Sequence, residues 1–270
     1  MEGSRGLDSK ERRDVEERRS VRAPVVYEII RQEGIDELRR PVLSLWWSGI
    51  AAGLAISASI FSEGFFRLHL PDEPWRPLIE NFGYCVGFVI VILGGFQLFT
   101  EQTVKAILPL LSDQTWNSLM RTARLWAVVF AANLVGAFAA ALFAVLNTAV
   151  TPEQLAVFLD ISRHFVERGF LELLLQGIPA GFLIAALTWM LPNAEASKFW
   201  AVMLVTYIIA IGDFAHVVAG STEVFLLLLN GDITIWTAFA GAILPSLIGN
   251  VIGGTALFSL LAYGQVKEEM

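Results

Sequence analysis

The chain has 270 residues, of which 55% are hydrophobic and only 17% charged, with a formal charge of -7 and a mean hydropathy of +0.60. An apolar share this high excludes a water-soluble domain of the same length, and no basic patch points to nucleic acid. The one cysteine, Cys85, lies inside an apolar run and leaves no disulfide framework, and neither a cofactor nor a metal motif is present.

The first 40 residues hold ten Lys/Arg and ten Asp/Glu, so the acidic excess comes from the apolar part and its short connections. Residues 1–26 form a charged, cytoplasmic tail expected to be disordered, since the stretch to about Arg22 has no apolar periodicity. A solvated extension and a regulatory, partner-binding tail are both open readings. Residues 27–42 are expected to form a short amphipathic helix on the membrane surface, with Val26, Ile29, Ile30 and Ile35 on its apolar side. No signal-peptide pattern precedes the first apolar run, which predicts that this run stays as an anchor.

A membrane-spanning helix needs roughly 20 mostly apolar residues. Stretches at 43–66, 78–111, 123–147, 169–191, 198–230 and 235–263 qualify, making a six-span domain over residues 43–266 with residues 267–270 as a cytoplasmic end. With both termini inside, fifteen Lys/Arg fall on the cytoplasmic side, and only Arg67, Arg76, Arg163 and Arg168 fall outside. Positive residues collect on the cytoplasmic side of short loops, and a count shifted by one span would spoil the bias.

An internal repeat runs through these spans. Residues 49–58 in the first span and 177–186 in the fourth agree at six of ten positions. Asn133-Leu134-Val135-Gly136-Ala137 in the third matches Asn250-Val251-Ile252-Gly253-Gly254 in the sixth. Three spans per copy is odd, so the copies are inverted, an arrangement common in channels and transporters. Composition alone accounts for small-residue similarity at helix contacts, but not for the matched asparagines.

The second and fifth spans are broken at Gly94-Gly95-Phe96-Gln97-Leu98 and at Gly212-Asp213-Phe214-Ala215-His216. Non-helical backbone at membrane depth requires burial in protein or a water-lined cavity, which predicts a pore. Thr100 is expected to cap the half-helix that follows, with Glu101 near its positive end, and Ser221, Thr222 and Glu223 to do the same in the fifth span. His216 is the one histidine expected at membrane depth, His69 and His164 falling in external loops. An intramembrane ionisable group marks a pathway by default, the alternative being a neutral histidine that locks the break through a nearby hydroxyl. Asn133 and Asn250 are read either as pore residues or as ties between helices. Asp213 and Glu101 are candidate capping groups or mouth charges.

The strings Leu98-Phe99-Thr100 after a glycine break, Asn133-Leu134-Val135-Gly136-Ala137, Phe214-Ala215-His216 and Gly249-Asn250-Val251-Ile252-Gly253-Gly254 resemble, in order, the motifs of the formate/nitrite transporter family. The resemblance covers nearly everything after about residue 27. It implies an all-α, aquaporin-like membrane fold and a homopentamer in a bacterial inner membrane, each protomer with its own pore for a small anion or weak acid. It further implies a constriction at Leu98 and Phe99, Thr100 in the loop of the broken second span, His216 as a central proton-exchanging residue and Asn250 as its hydrogen-bonding neighbour. The chain departs from the family at Ala215, where the family has Glu, at Gly220 and Gly181, where it has Asn, and at Phe165, near a family Lys for which Arg163 or Arg168 could stand in. Ala215, Gly220 and the added negative charge of Glu101 beside the loop favour, as the alternative permeant, a small neutral or weakly basic solute. A hydrolase using Ser246 or Ser221 with His216 is disfavoured, because no Gly-x-Ser-x-Gly setting and no orienting carboxylate is present.

Overall fold

The computed structural model describes Asp8, residues 21–146 and residues 149–269. Most of the charged tail therefore lies outside the described residues. The first helix, α1, is Ala23–Arg39, entered through a proline in its first turn and left just before Pro41. Its face of Val26, Tyr27, Ile30, Gly34 and Leu38 is buried, whereas Ile29 is on the exposed side. Tyr27 donates to the Leu108 carbonyl (3.3 Å), and a Cβ on Gly34 would sit 1.8 Å from the Lys105 carbonyl oxygen, so α1 is pressed backbone to backbone onto protein.

Two inverted sets of three spans follow. The first set comprises α2 (Val42–His69), the broken span α3 (Arg76–Leu93), α4 (Phe99–Lys105) and α5 (Ile107–Ser112), and α6 (Trp116–Leu146). The second comprises α8 (Gly169–Met190), the broken span α9 (Lys198–Ile211) and α10 (Val217–Asn230), and α11 (Thr237–Val266), whose stretches Thr237–Ile243 and Ile252–Ser259 are wound as π-helix. Five helices among the described residues are long and apolar enough to cross a bilayer alone, and the remaining span is divided into two 14-residue pieces by its break.

Between the sets lies a helix that the apolar pattern did not announce, α7 (Pro152–Glu167). Its start is a capping box: Gln154 N–H donates to the Thr151 hydroxyl (3.2 Å) and Thr151 N–H to the Gln154 side chain (2.9 Å). His164 thus sits on a packed helix and not in a loop. Arg67 of α2 ties the helix down through Asp160 at 2.8 Å.

The repeat seen in the sequence is repeated in the packing. Within each set the first and third helices cross where a glycine meets backbone. A Cβ on Gly53 would lie 2.1 Å from the Asn133 carbonyl oxygen, and one on Gly181 would lie 2.2 Å from that of Asn250. Lipid supplies no hydrophobic drive between helices, so such close approaches are where membrane helices gain their packing. Arg22, before α1, pairs with Glu269 at 3.3 Å, which places the start of the first helix and the end of the last on one face of the bundle.

Candidate functional site

The two breaks are built alike. In α3 to α4 the chain turns through Gly95 at φ 66°, and in α9 to α10 through Asp213 at φ 57°, the same position of the repeat. Glycine adopts that conformation without penalty. Asp213 is held in it by Arg168, which donates to both its carboxylate and its carbonyl (2.8 Å to the latter). Asn133 then fastens the first break: its carbonyl accepts from Phe99 N–H (2.9 Å), and its amide donates to Gly49 (2.9 Å) and Gln97 (2.8 Å) carbonyls. Asn250 does the same in the second, accepting from Val217 N–H (2.9 Å) and donating to Gly177 (2.9 Å) and Ala215 (2.7 Å) carbonyls. Both asparagines are fully buried, and each uses its acceptor and one amide proton on backbone of the break and its other amide proton on a carbonyl of the first helix of its set.

This geometry corrects one expected contact. Asn250 is not hydrogen-bonded to the His216 ring; it holds the peptide groups on either side of it. The ring's partner is Thr100, whose hydroxyl lies 2.8 Å from Nε2. Thr100 in turn is not the cap of α4, since it sits in the first turn after Leu98. Likewise Ser221, Thr222 and Glu223 lie inside α10, whose cap is His216 itself: Nδ1 accepts from Ala219 N–H at 3.2 Å. With Nδ1 accepting, the neutral ring carries its proton on Nε2 and donates it to Thr100.

The Thr100–His216 pair therefore joins the two breaks across the repeat axis, with both residues buried and an apolar shell around them. Phe88 meets the imidazole edge-on at 4.9 Å, and Leu98, which occupies the position of His216 in the other copy, is fully buried. Phe99 is packed on Phe130 (4.9 Å) and Trp126 (5.7 Å). From the face opposite α1, a cavity of about 630 Å³ descends between the helices to His216, with Phe214, Tyr84 and Arg168 in its wall.

The charged candidates are distributed differently. Arg168 lies in that cavity, paired with Asp213 and over the Phe165 ring at 5.7 Å, while Arg163 is paired with Asp232 at 3.1 Å. Glu101 is buried toward the α1 side, 4.0 Å from Lys105, which also reaches Glu33 of α1 at 3.2 Å. Glu37 of α1 accepts from Gln97 in the break at 2.9 Å. Two acidic residues of the cavity, Glu63 and Glu223, are not marked as pore residues by the sequence pattern. Glu223 follows His216 by seven residues, a spacing that returns a helix to the same face.

Among known families, the model described as formate/nitrite transporter matches residues 24–264. The chain belongs to the formate/nitrite transporter family. It is similar to the inner membrane protein YfdC of Escherichia coli K12, 39% identical over 256 residues that cover 94% of this chain and 82% of that one. Its fold resembles that of a solved FNT family ion channel (TM-score 0.79, 19% identity, 89% of this chain and 98% of that chain). It also resembles a pentameric formate channel with formate bound (TM-score 0.69, 18% identity, 84% and 98%). The protein is thus an all-α membrane protein of a transporter family and not an enzyme. The serines of the hydrolase reading agree, since Ser246 and Ser221 donate to the Ala242 and Val217 carbonyls of their own helices (2.9 and 2.6 Å).

Proposed function

We propose that the chain is a channel through which a small monovalent weak acid of the formate and nitrite class crosses the bilayer in uncharged form, with Thr100 and His216 as the polar stop. The observation that carries this reading is the buried 2.8 Å bond between the two breaks, in an apolar shell at the floor of an aqueous cavity. Desolvating a bare anion there without a counter-charge costs far more than desolvating its neutral acid. With the Nε2 proton given to Thr100, the Thr100 hydroxyl keeps one donor and one acceptor lone pair for a molecule that has just lost its water. The acid takes its proton from the water of the cavity before it reaches the pair, because the neutral His216 ring has its Nδ1 lone pair in the α10 cap and its Nε2 proton on Thr100. Leu98 and Phe99 form the dry stretch on the side toward α1.

The relatives support the same reading: one solved neighbour is described as a pentameric formate channel with formate bound. In this proposal five copies assemble, each with its own pore, in a bacterial inner membrane. The α1 face is cytoplasmic in this reading, since of the 13 described Lys/Arg all but Arg67, Arg76, Arg163 and Arg168 belong to the α1 side by the span order, and α1 lies at that surface. Purified protein in liposomes is expected to take up formate, nitrite, acetate or lactate faster than empty liposomes. Uptake of all four no faster than in empty liposomes, at every pH between 5 and 8, would overturn the reading.

A further inference from the structure

The cavity that leads to His216 is lined by six carboxylates, those of Glu63, Glu80, Glu167, Glu172, Asp213 and Glu223, against two arginines. Those arginines are already engaged. Arg168 is held by Asp213, and Arg67 is turned to Asp160 on α7. Glu80 has its own cation, Arg76 at 3.3 Å. Glu172 accepts from Gln176 at 3.3 Å, and Glu167 is exposed at the rim. Glu63 and Glu223 remain without any hydrogen bond or ion pair among the described residues.

Glu223 is the more telling of the two. It is 8% exposed, and that remnant faces the cavity it lines. It stands two helical turns above the His216 cap, about 10 Å along α10. The charges that act on it are those of Glu63, Arg168 and Asp213. Around it the cavity wall carries Tyr84, His164 and Arg67, none of them within ion-pair distance of its carboxylate. A buried carboxylate with unused acceptor oxygens is costly unless something with N–H or O–H donors, or a positive charge, occupies the space in front of it.

We propose that the deep part of this cavity, above its His216 floor, is a binding site for a small monovalent nitrogen cation, ammonium or methylammonium, and that the neutral amine is a second permeant of the pore. The cation is gathered by the carboxylate excess and settles against Glu223, with Glu63 beside it. There an N–H bond breaks, its electron pair stays on nitrogen, and the proton forms an O–H bond on the Glu223 carboxylate. The uncharged amine moves on to Thr100 and His216, and Glu223 returns its proton to the water of the cavity. Net transport is one neutral amine. The proposal rests on the pore assigned above but not on its weak-acid permeant.

The test is the ratio of radiolabelled methylammonium uptake to the amount of full-length protein incorporated in the liposomes, which cancels differences in reconstitution, with formate uptake measured alongside. Wild-type protein is expected to take up methylammonium faster than empty liposomes. Glu223→Gln keeps the shape of the side chain and removes the charge, and it is expected to lower the ratio about fivefold, from the lost attraction of one nearby charge in a medium between water and protein. Glu63→Gln is read in the same way and serves where Glu223→Gln does not yield folded protein. Formate uptake without methylammonium uptake, or an unchanged ratio in both variants, overturns the inference and leaves the pore standing. Methylammonium uptake without formate uptake would sink the weak-acid reading instead.

Discussion

His216 serves two bonds at once, capping α10 through Nδ1 and meeting Thr100 through Nε2. The capping bond explains why a histidine stands at a helix start where Ser, Asp or Asn is the usual choice. The Thr100 bond gives the pore a polar contact between the two breaks. Thr100→Val keeps the volume and removes the hydroxyl, leaving the Nε2 proton without a partner. Formate uptake should fall about tenfold, the loss of roughly one hydrogen bond to the permeating species. Uptake equal to the wild type would show that Thr100 only fills space. The pair was half legible in the sequence: a histidine in a glycine-marked break draws the eye, but nothing along the chain says which hydroxyl faces it. The local pattern makes Thr100 a cap, because a threonine at the start of an apolar run usually is one.

Each broken span is held by one asparagine from the third helix of its set. The local pattern could show the breaks, since paired glycines and polar residues interrupt an apolar run. The repeat could show that the asparagines matter. Their task became visible only with the backbone, as Asn133 and Asn250 meet groups 34 to 84 residues away in one copy and 33 to 73 in the other. Asn250→Asp retains the acceptor for Val217 N–H but turns an oxygen toward the Gly177 and Ala215 carbonyls. Destabilisation of about 2 kcal/mol or more is expected from two donors lost at buried acceptors, read as a lower melting temperature in detergent. An unaltered melting temperature would mean that the break stands without its tie. The helix α7 was missed for a different reason. Its signal is the capping box of Thr151 and Gln154, which is local and polar, whereas span finding weighs only apolar length.

Over the whole molecule, inverted symmetry of backbone coexists with asymmetry of charge. Gly95 and Asp213, Leu98 and His216, and Asn133 and Asn250 occupy equivalent places, yet one side of the pore is closed over by α1 and the other opens into an acidic cavity. The composition and spacing of the chain predict the span arrangement because bilayer thickness acts on every span alike. They do not predict the cavity, whose carboxylates come from α2, α3, α7, α8, α9's following turn and α10, and meet only in the fold. An acidic approach repels the anion and admits its neutral acid. The pH dependence of protein-mediated formate uptake tests this most directly. Above the acid's own pKa its neutral fraction grows about tenfold for each unit of falling pH. Uptake by liposomes carrying the protein, less that of empty ones, is expected to rise by about that factor for each unit between pH 7 and pH 5 at fixed total formate. Uptake that is independent of pH over this range would show the bare anion crossing and would contradict the neutral-acid reading.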